Sequence, residues 1–322
     1  MADGSALVPV GDTLPATLAD TAERAGEYAR AAKAPNTLRA YHADWADFSA
    51  WCQARELPSL PAADSTVALY LTDMAKTLRT STLQRRLSAI AQAHKAAGHV
   101  PLTKGRVSMV WQGIRRAKGT AQKGKAPART QEVRAMVATC RDGLLGTRDR
   151  ALLLLGFAGA FRRSELVGLD VADLDFGRDG LTVTLRRSKT DQEGAGQKVG
   201  IPYGSTPATC PVRNLQEWLE GADVTSGPVF RGVNRWGQVN AARLTDRVVA
   251  LVVKRCAEAA GLDPAQYAGH SLRAGLATAA AEAGVSERVI MAQTRHKSLP
   301  MVRRYIREGN LFRENAAAAV GL

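Results

Sequence analysis

The chain has 322 residues, 45% of them apolar, with 44 Lys and Arg against 30 Asp and Glu and a formal net charge of +14. That length favours two domains, and that apolar content supplies a core and excludes general disorder. The excess of positive charge favours a polyanionic partner, nucleic acid before an anionic membrane surface. No apolar run is long enough for a membrane span: the longest, residues 151–161, is broken by Gly156 and Gly159. The N-terminal MADGSALVPVGD has no basic segment ahead of an apolar core, so no secretion signal is expected and the chain reads as cytoplasmic. Its four cysteines, at 52, 140, 210 and 256, form no CxxC pair and read as reduced, isolated thiols with no zinc site.

In chain order, residues 1–14 read as a flexible lead-in. Asn36 is a candidate N-cap, and Leu38, Tyr41, Trp45, Phe48 and Trp51 then recur at helical spacing. After loop signals at 58–63 come a helix through Val67, Leu71 and Met74, then one capped at Thr80-Ser81. That helix turns Leu83, Leu87 and Ile90 inward and Gln84, Arg85 and Arg86 outward. A last one follows Pro101 with Val107, Val110, Trp111 and Ile114 on its apolar side. Residues 15–118 thus read as a bundle of four or five helices.

Residues 119–128, GTAQKGKAPA, read as an exposed basic linker. Between Lys104 and Arg129 there are eight Lys and Arg residues and no acid. Such a run is commonly a solvated face, but in a chain this basic a strap along phosphates is the better reading, with Arg115, Arg116, Lys118, Lys123 and Lys125 as candidate contacts.

Residues 129–322 read as a second, mainly helical domain with a small antiparallel β-sheet. Leu152–Leu155 begin a buried helix. Leu181, Val183 and Leu185 alternate with Thr182, Thr184 and Arg186 as in a strand, which turns back through Ser188–Gln197 into 199–201 as a hairpin.

Two motifs fail on inspection. Gly119–Lys125 fits GxxxxGK, but Ala126 stands where a Mg²⁺-binding Ser or Thr belongs and no strand precedes it. Gly269-His270-Ser271-Leu272 imitates a hydrolase nucleophile elbow, but Arg273 occupies the position that needs a second glycine.

Four pieces carry chemistry, and each alone has a plain structural reading. Arg162 and Glu165, three apart, match an ordinary helical ion pair, although they follow an apolar run in which a buried guanidinium would need a carboxylate to orient it. Lys189 sits at a strand end, where most lysines are merely solvated. His270 and Arg273 share a helix face if the Ala-rich run after Gly269 is helical. His296 precedes Tyr305 by nine residues, and a tyrosine is more often packing than chemistry.

As an ordered set, Arg162, Lys189, His270-x-x-Arg273, His296 and Tyr305 closely resemble the tyrosine recombinase (phage integrase) family. The contexts GAFRRSELVGLDVADLD, RRSKT, GHSLRAGLAT and HKSLPMVRRY match as well, across the whole second domain. NTLRAYHADWADFSAW and TSTLQRRLSAIAQAH look like that family's core-binding domain, with less specificity. One departure stands out: the family usually has Gly before the second His, and here it is Arg295. A Cβ at a left-handed helix cap costs about 1 kcal/mol.

The resemblance implies a SAM-like helical bundle and a DNA breaking-rejoining catalytic domain, gripping opposite faces of a duplex. It implies site-specific strand exchange through a 3′-phosphotyrosyl link on Tyr305, freeing a 5′-hydroxyl, by a tetramer on two DNA sites. Residues 311–322 are a candidate for docking on a neighbouring subunit, and an accessory protein could set direction. In that scheme Arg162 and Arg273 bind phosphate oxygens as planar forks. His270 acts as base or positioner for a phenol of pKa about 10. Lys189 protonates the leaving oxygen, His296 donates to the phosphate, and Glu165 holds the cationic residues. With no acidic cluster suited to Mg²⁺, neither metal nor other cofactor is expected. The alternatives are a type IB-like topoisomerase and a catalytically silent sequence-specific DNA-binding factor; Gln84, Arg85 and Arg86 are candidates for base contacts.

Overall fold

The computed structural model describes residues 18–120, 124–186, 196–296 and 298–309. The chain divides into two compact units, Met1–Lys123 and Gly124–Leu322. The expected lead-in 1–14, the hairpin tip with Lys189, Lys123, and the segment 311–322 lie outside the described residues.

The first unit holds helices α1 (Ala19–Ala31), α2 (Pro35–Gln53), α3 (Asp64–Met74), α4 (Thr80–Ala96) and α5 (Gly105–Lys118). α2 packs on α4 and α3 on α5. Their apolar faces meet around Phe48, Val67, Tyr70, Leu71, Leu83, Leu87, Ile90 and Val107, with Trp45, Trp51 and Trp111 at the margin. Apart from Tyr70, these are positions that the helical periodicity selected. The caps differ from expectation: Ala34 caps α2 and Pro35 takes its first turn, where the missing N–H costs nothing, and Arg79 rather than Thr80 caps α4. His94 is buried and ties the 58–63 loop down, accepting the Ala62 N–H on Nε2 (2.9 Å) while Nδ1 donates to the Ile90 carbonyl (2.8 Å).

One expectation for α4 is corrected here. Arg86 does not point outward: its side chain is 13% exposed, paired with Asp47 and donating to the Tyr70 hydroxyl at 2.6 Å. Arg85 is half-exposed but forks onto the buried Asp44 carboxylate at 2.7 and 3.0 Å. Both guanidinium groups pair with carboxylates of the bundle, so both arginines contribute to the fold, while Arg85 and Gln84 remain exposed as expected.

The second unit opens with α6 (Thr130–Ala138), α7 (Leu144–Ala158) and the short α8 (Arg163–Gly168). Strands β1 (Leu174–Phe176), β2 (Gly180–Leu185) and β3 (Gln197–Pro202) form an antiparallel sheet in the order β1-β2-β3. The register pairs Leu181 with Ile201 and Val183 with Val199, so the buried residues of β2 and β3 share one face. Next come α9 (Pro211–Gly221), a separate hairpin of β4 (Arg231–Val233) and β5 (Val239–Arg243), then α10 (Asp246–Ala259), α11 (Gly269–Glu282), α12 (Glu287–Thr294) and α13 (Leu299–Gly309). α7 is buried along most of its length, starting eight residues earlier than the apolar run predicts, and Leu152–Leu155 pack in a core with Phe161, Trp218, Phe230 and Val253. Among the described residues the unit is mainly α with small antiparallel sheets.

The residues expected as linker end docked. Ala126 N–H donates to Gln266 O (2.8 Å) and Ala128 N–H to Ser271 O (2.9 Å), and Ala128 is fully buried. The contact needs Gly275: a Cβ there would stand 1.7 Å from the Ala128 carbonyl oxygen. Because the obstacle is backbone, Gly275→Ala is expected to destabilise the second unit by about 3 kcal/mol or more, beyond ordinary overpacking, as read from urea midpoints. A loss below about 1 kcal/mol would show that the segment leaves α11 easily.

Candidate active site

The site forms where α8, α11 and the turn after α12 converge. Gly269 at the start of α11 leaves room for the Arg163 side chain of α8; a Cβ there would meet it at 2.4 Å. Arg162 is the N-cap of α8, and Glu165, at N3, turns back to accept its N–H at 2.9 Å. The same carboxylate pairs with the Arg162 guanidinium and, at 3.1 Å, with Arg295. Burial alone would raise the Glu165 carboxyl; the Arg162 backbone and guanidinium and then Arg295 outweigh it and hold the carboxyl below its usual range.

One turn into α11, His270 is exposed and Arg273 is 1% exposed. Arg273 Nη1 donates to the Ala160 carbonyl at 2.6 Å, while Nη2 is buried with no hydrogen-bond partner among the described residues. Burial, then repulsion from Arg162 and Arg295, lowers the Arg273 pKa to about 9. A buried donor with nothing to bind is costly, and an arginine fork so placed is complete only when an anion arrives.

Arg295 explains the departure from the family pattern. It adopts φ 54° and ψ 41°, the left-handed cap a glycine would supply, so the turn itself is retained. Its guanidinium reaches the carbonyls of Gly159 (2.9 Å), Ala160 (2.9 Å) and Gln293 (2.8 Å) and lies 5.2 Å over the Phe161 ring. These contacts, with the Glu165 pair, offset the cost of a Cβ in that conformation.

The next residue, His296, is 8% exposed. Thr294 Oγ1 donates its proton to Ile290 O (2.6 Å), so its oxygen accepts from His296 Nδ1–H (2.7 Å), and Nε2 carries the lone pair when the ring is neutral. Burial, followed by Arg273, Arg162, His270 and Arg295, lowers the His296 pKa to about 4. An anion bound among these cations would raise it and turn Nε2 into a donor.

The unfolded chain takes up the His296 proton near pH 6.5, the folded one only near 4. In that window the unfolded state binds more protons, so stability falls as pH drops from 6.5 through 4, by on the order of 2 kcal/mol. His296→Gln is expected to remove that part of the slope in urea titrations without DNA; an unchanged slope would mean that His296 is not held neutral.

Tyr305 comes from α13, which packs on α11 and α12 through Val302, Ala277, Ala281 and Ile290. Its hydroxyl is 3.2 Å from His270 Nε2, and its ring centroid is 5.8 Å from that of His296. Arg162, Glu165, His270, Arg273, His296 and Tyr305 therefore meet at one place, with Arg295, Thr294 and the Ala160 carbonyl added. The cations outnumber Glu165, and the described residues hold no cluster of three metal-ligating side chains. Such a site can bind a phosphodiester, polarise it and present a phenol to it.

The phage integrase family model matches residues 128–310. The chain belongs to that family. It is a tyrosine recombinase, a class of site-specific DNA recombinase. Over 290 residues the recombinase is 46% identical to the integrase/recombinase XerD homolog of Selenomonas ruminantium, covering 88% of this chain and 85% of that one. It is 28% identical to the tyrosine recombinase XerC of Pelobacter propionicus, over 84% of each chain. Among solved structures, the fold is similar to XerH site-specific recombinase bound to a palindromic difH substrate in a post-cleavage complex, with TM-score 0.61 at 17% identity, over 80% of this chain and 72% of that one. It is also similar to a λ integrase dimer bound to a COC′ core site, with TM-score 0.57 at 16% identity, over 88% and 74%. These relatives are recombinases, which sets the topoisomerase reading aside. No helix among the described residues is long and apolar enough to cross a membrane.

Proposed function

We propose that the recombinase cleaves each strand of a double-stranded DNA site by attack of the Tyr305 oxygen on a phosphorus held by Arg162 and Arg273. The observation that carries this is the buried, unpartnered Arg273 Nη2 in the same cluster as the Tyr305–His270 hydrogen bond. The Tyr305 O–P bond forms as the bond to the 5′ oxygen breaks. His270 Nε2 takes the phenolic proton, Lys189 protonates the departing 5′ oxygen, and protonated His296 donates through Nε2 to a phosphate oxygen. Glu165 keeps both Arg162 and Arg295 oriented. Attack by a 5′-hydroxyl from a second strand reverses the step, conserving the bond energy without ATP, metal or cofactor. The working assembly is a homo-tetramer on two sites in the cytoplasm, with an accessory protein setting direction.

A nicked suicide duplex taken from sequence flanking the gene tests this in EDTA. The expected product is a denaturant-resistant adduct whose tryptic map places the phosphodeoxynucleotide on Tyr305. Tight, footprinted binding with no adduct would instead support a catalytically silent DNA-binding factor.

Arg115 and Arg116 are exposed on α5, Lys118 binds the carbonyl of Ala75, and Lys125 that of Ala265. With Lys123, they are proposed to contact phosphates. Replacing Lys123 and Lys125 together by Ala is expected to weaken binding on all sequences alike and to reduce the slope of log K against log salt by about 2. An unchanged slope would remove both lysines from the interface.

A further inference from the structure

Thr294, the last residue of α12, is 1% exposed and stands two positions before His296. Its hydroxyl has one proton, and the 2.6 Å contact with the Ile290 carbonyl uses it, because two oxygens so close repel without a proton between them. Toward the ring the hydroxyl oxygen is then an acceptor only, so the 2.7 Å contact places a proton on His296 Nδ1. A side chain without an oxygen at 294 would leave either ring nitrogen free to carry the proton. With threonine the neutral ring has one tautomer, and its opposite edge, Nε2, is a bare lone pair.

Among the described residues, the charged and titratable groups around this ring are Arg162 and Glu165 of α8, His270 and Arg273 of α11, the adjoining Arg295, and Tyr305 of α13. Glu165 is engaged by Arg162 and Arg295. Without DNA, cations on this side favour a lone pair over an imidazolium, in keeping with the lowered pKa of His296. A phosphate oxygen reverses the preference: it too offers only lone pairs, and it repels a bare Nε2.

We propose that Thr294 is a positioning residue that makes His296 a donor only when protonated, so that seating a DNA phosphate at this site takes up one proton. The inference rests on the proposed contact between His296 and phosphate. An untethered histidine could meet the phosphate as its neutral Nε2–H tautomer with no proton exchanged; Thr294 disfavours that tautomer by leaving Nδ1 without a donor to accept from. The proton comes from solvent, adds to Nε2, and returns to solvent when the phosphate leaves.

Full-length protein with ¹⁵N-labelled histidine, at pH 7.5 without DNA, reports the tautomer. The His296 ring, identified by its loss in His296→Gln, should carry its proton on Nδ1 and a lone pair on Nε2. Thr294→Val keeps the shape without the hydroxyl and should shift the ring toward Nε2–H, whereas Thr294→Ser should keep the wild-type pattern. Binding to an intact duplex taken from sequence flanking the gene, at fixed salt, gives the second readout. From pH 7.5 to 6.0 the wild type should gain about 5-fold or more in affinity beyond the gain of His296→Gln, since one proton held only in the complex changes the constant by up to about tenfold per pH unit. Thr294→Val should follow His296→Gln, and Thr294→Ser the wild type. A mere loss of packing would change affinity at every pH and leave the slope alone. An Nε2–H tautomer in the wild type, or a wild-type slope in either Thr294→Val or His296→Gln, would overturn the proposal. None of these readouts needs strand cleavage, so a missing Tyr305 adduct with this slope intact would remove the cleavage reading alone.

Discussion

Tyr305→Phe is expected to abolish covalent adduct formation on a nicked suicide duplex, by about 10⁴-fold or more, with DNA binding nearly unchanged. The loss follows from the atom removed, the hydroxyl that stands 3.2 Å from His270 Nε2. The nearest tyrosine in sequence on this unit's helical side, Tyr267, is 8% exposed, and its phenol is pushed up by burial and then by Glu132, which makes it a poor nucleophile. Stability should change by less than about 1 kcal/mol, since one partly exposed hydrogen bond is lost while the packing of the α13 face is kept. An adduct that persists in the variant would assign the nucleophile elsewhere and dismantle the proposed role of His270 with it.

Arg273→Met is expected to reduce cleavage by about 10²–10³-fold while making the DNA-free protein more stable by about 1–2 kcal/mol, or several degrees in Tm. The opposite signs share one cause. Arg273 is a buried cation whose partners are incomplete: one amino group meets the Ala160 carbonyl, the other has no hydrogen-bond partner among the described residues, and its neighbours Arg162 and Arg295 repel it. A methionine of similar length fills the space without a charge, and Ala160 O keeps the hydrogen bond from Arg295. In the proposed reaction that cost leaves a donor already in place for a phosphate oxygen. Cleavage measured in single turnover, beside a thermal melt without DNA, separates the two effects. A stability loss of about 3 kcal/mol would mean that the charge is already balanced in the free state.

The sequence made some of this architecture legible and hid other parts for identifiable reasons. The bundle could be read because Phe48, Leu71, Leu83, Leu87 and Ile90 recur at the period of a helix whose one face is buried. β2 could be read because six residues give three full alternations of burial, whereas β1 and β4 have three residues each and too little period to detect. The candidate catalytic residues are legible only through their order and local context, since nothing in spacing alone brings Arg162 beside Arg273. Arg86 was misplaced because a charged residue defaults to solvent, and only the tertiary position of Asp47 and Tyr70 turns it inward. The left-handed turn at Ala160 (φ 46°) is a product of packing between distant segments, with no local signal.

That turn at Ala160 has a consequence for how the site can vary. A single carbonyl oxygen receives both Arg273 and Arg295, and the adjoining Glu165 receives both Arg295 and Arg162. The three guanidinium groups are thus linked through two shared acceptors, and substitutions among them cannot add independently. A glycine restored at 295 would return one hydrogen bond's worth of acceptor to Ala160 and one to Glu165, altering the setting of Arg273 and Arg162 without touching either. The effect of an exchange at 295 on this protein therefore depends on which residues stand at 162 and 273, and exchanges at the three positions act as one coupled set.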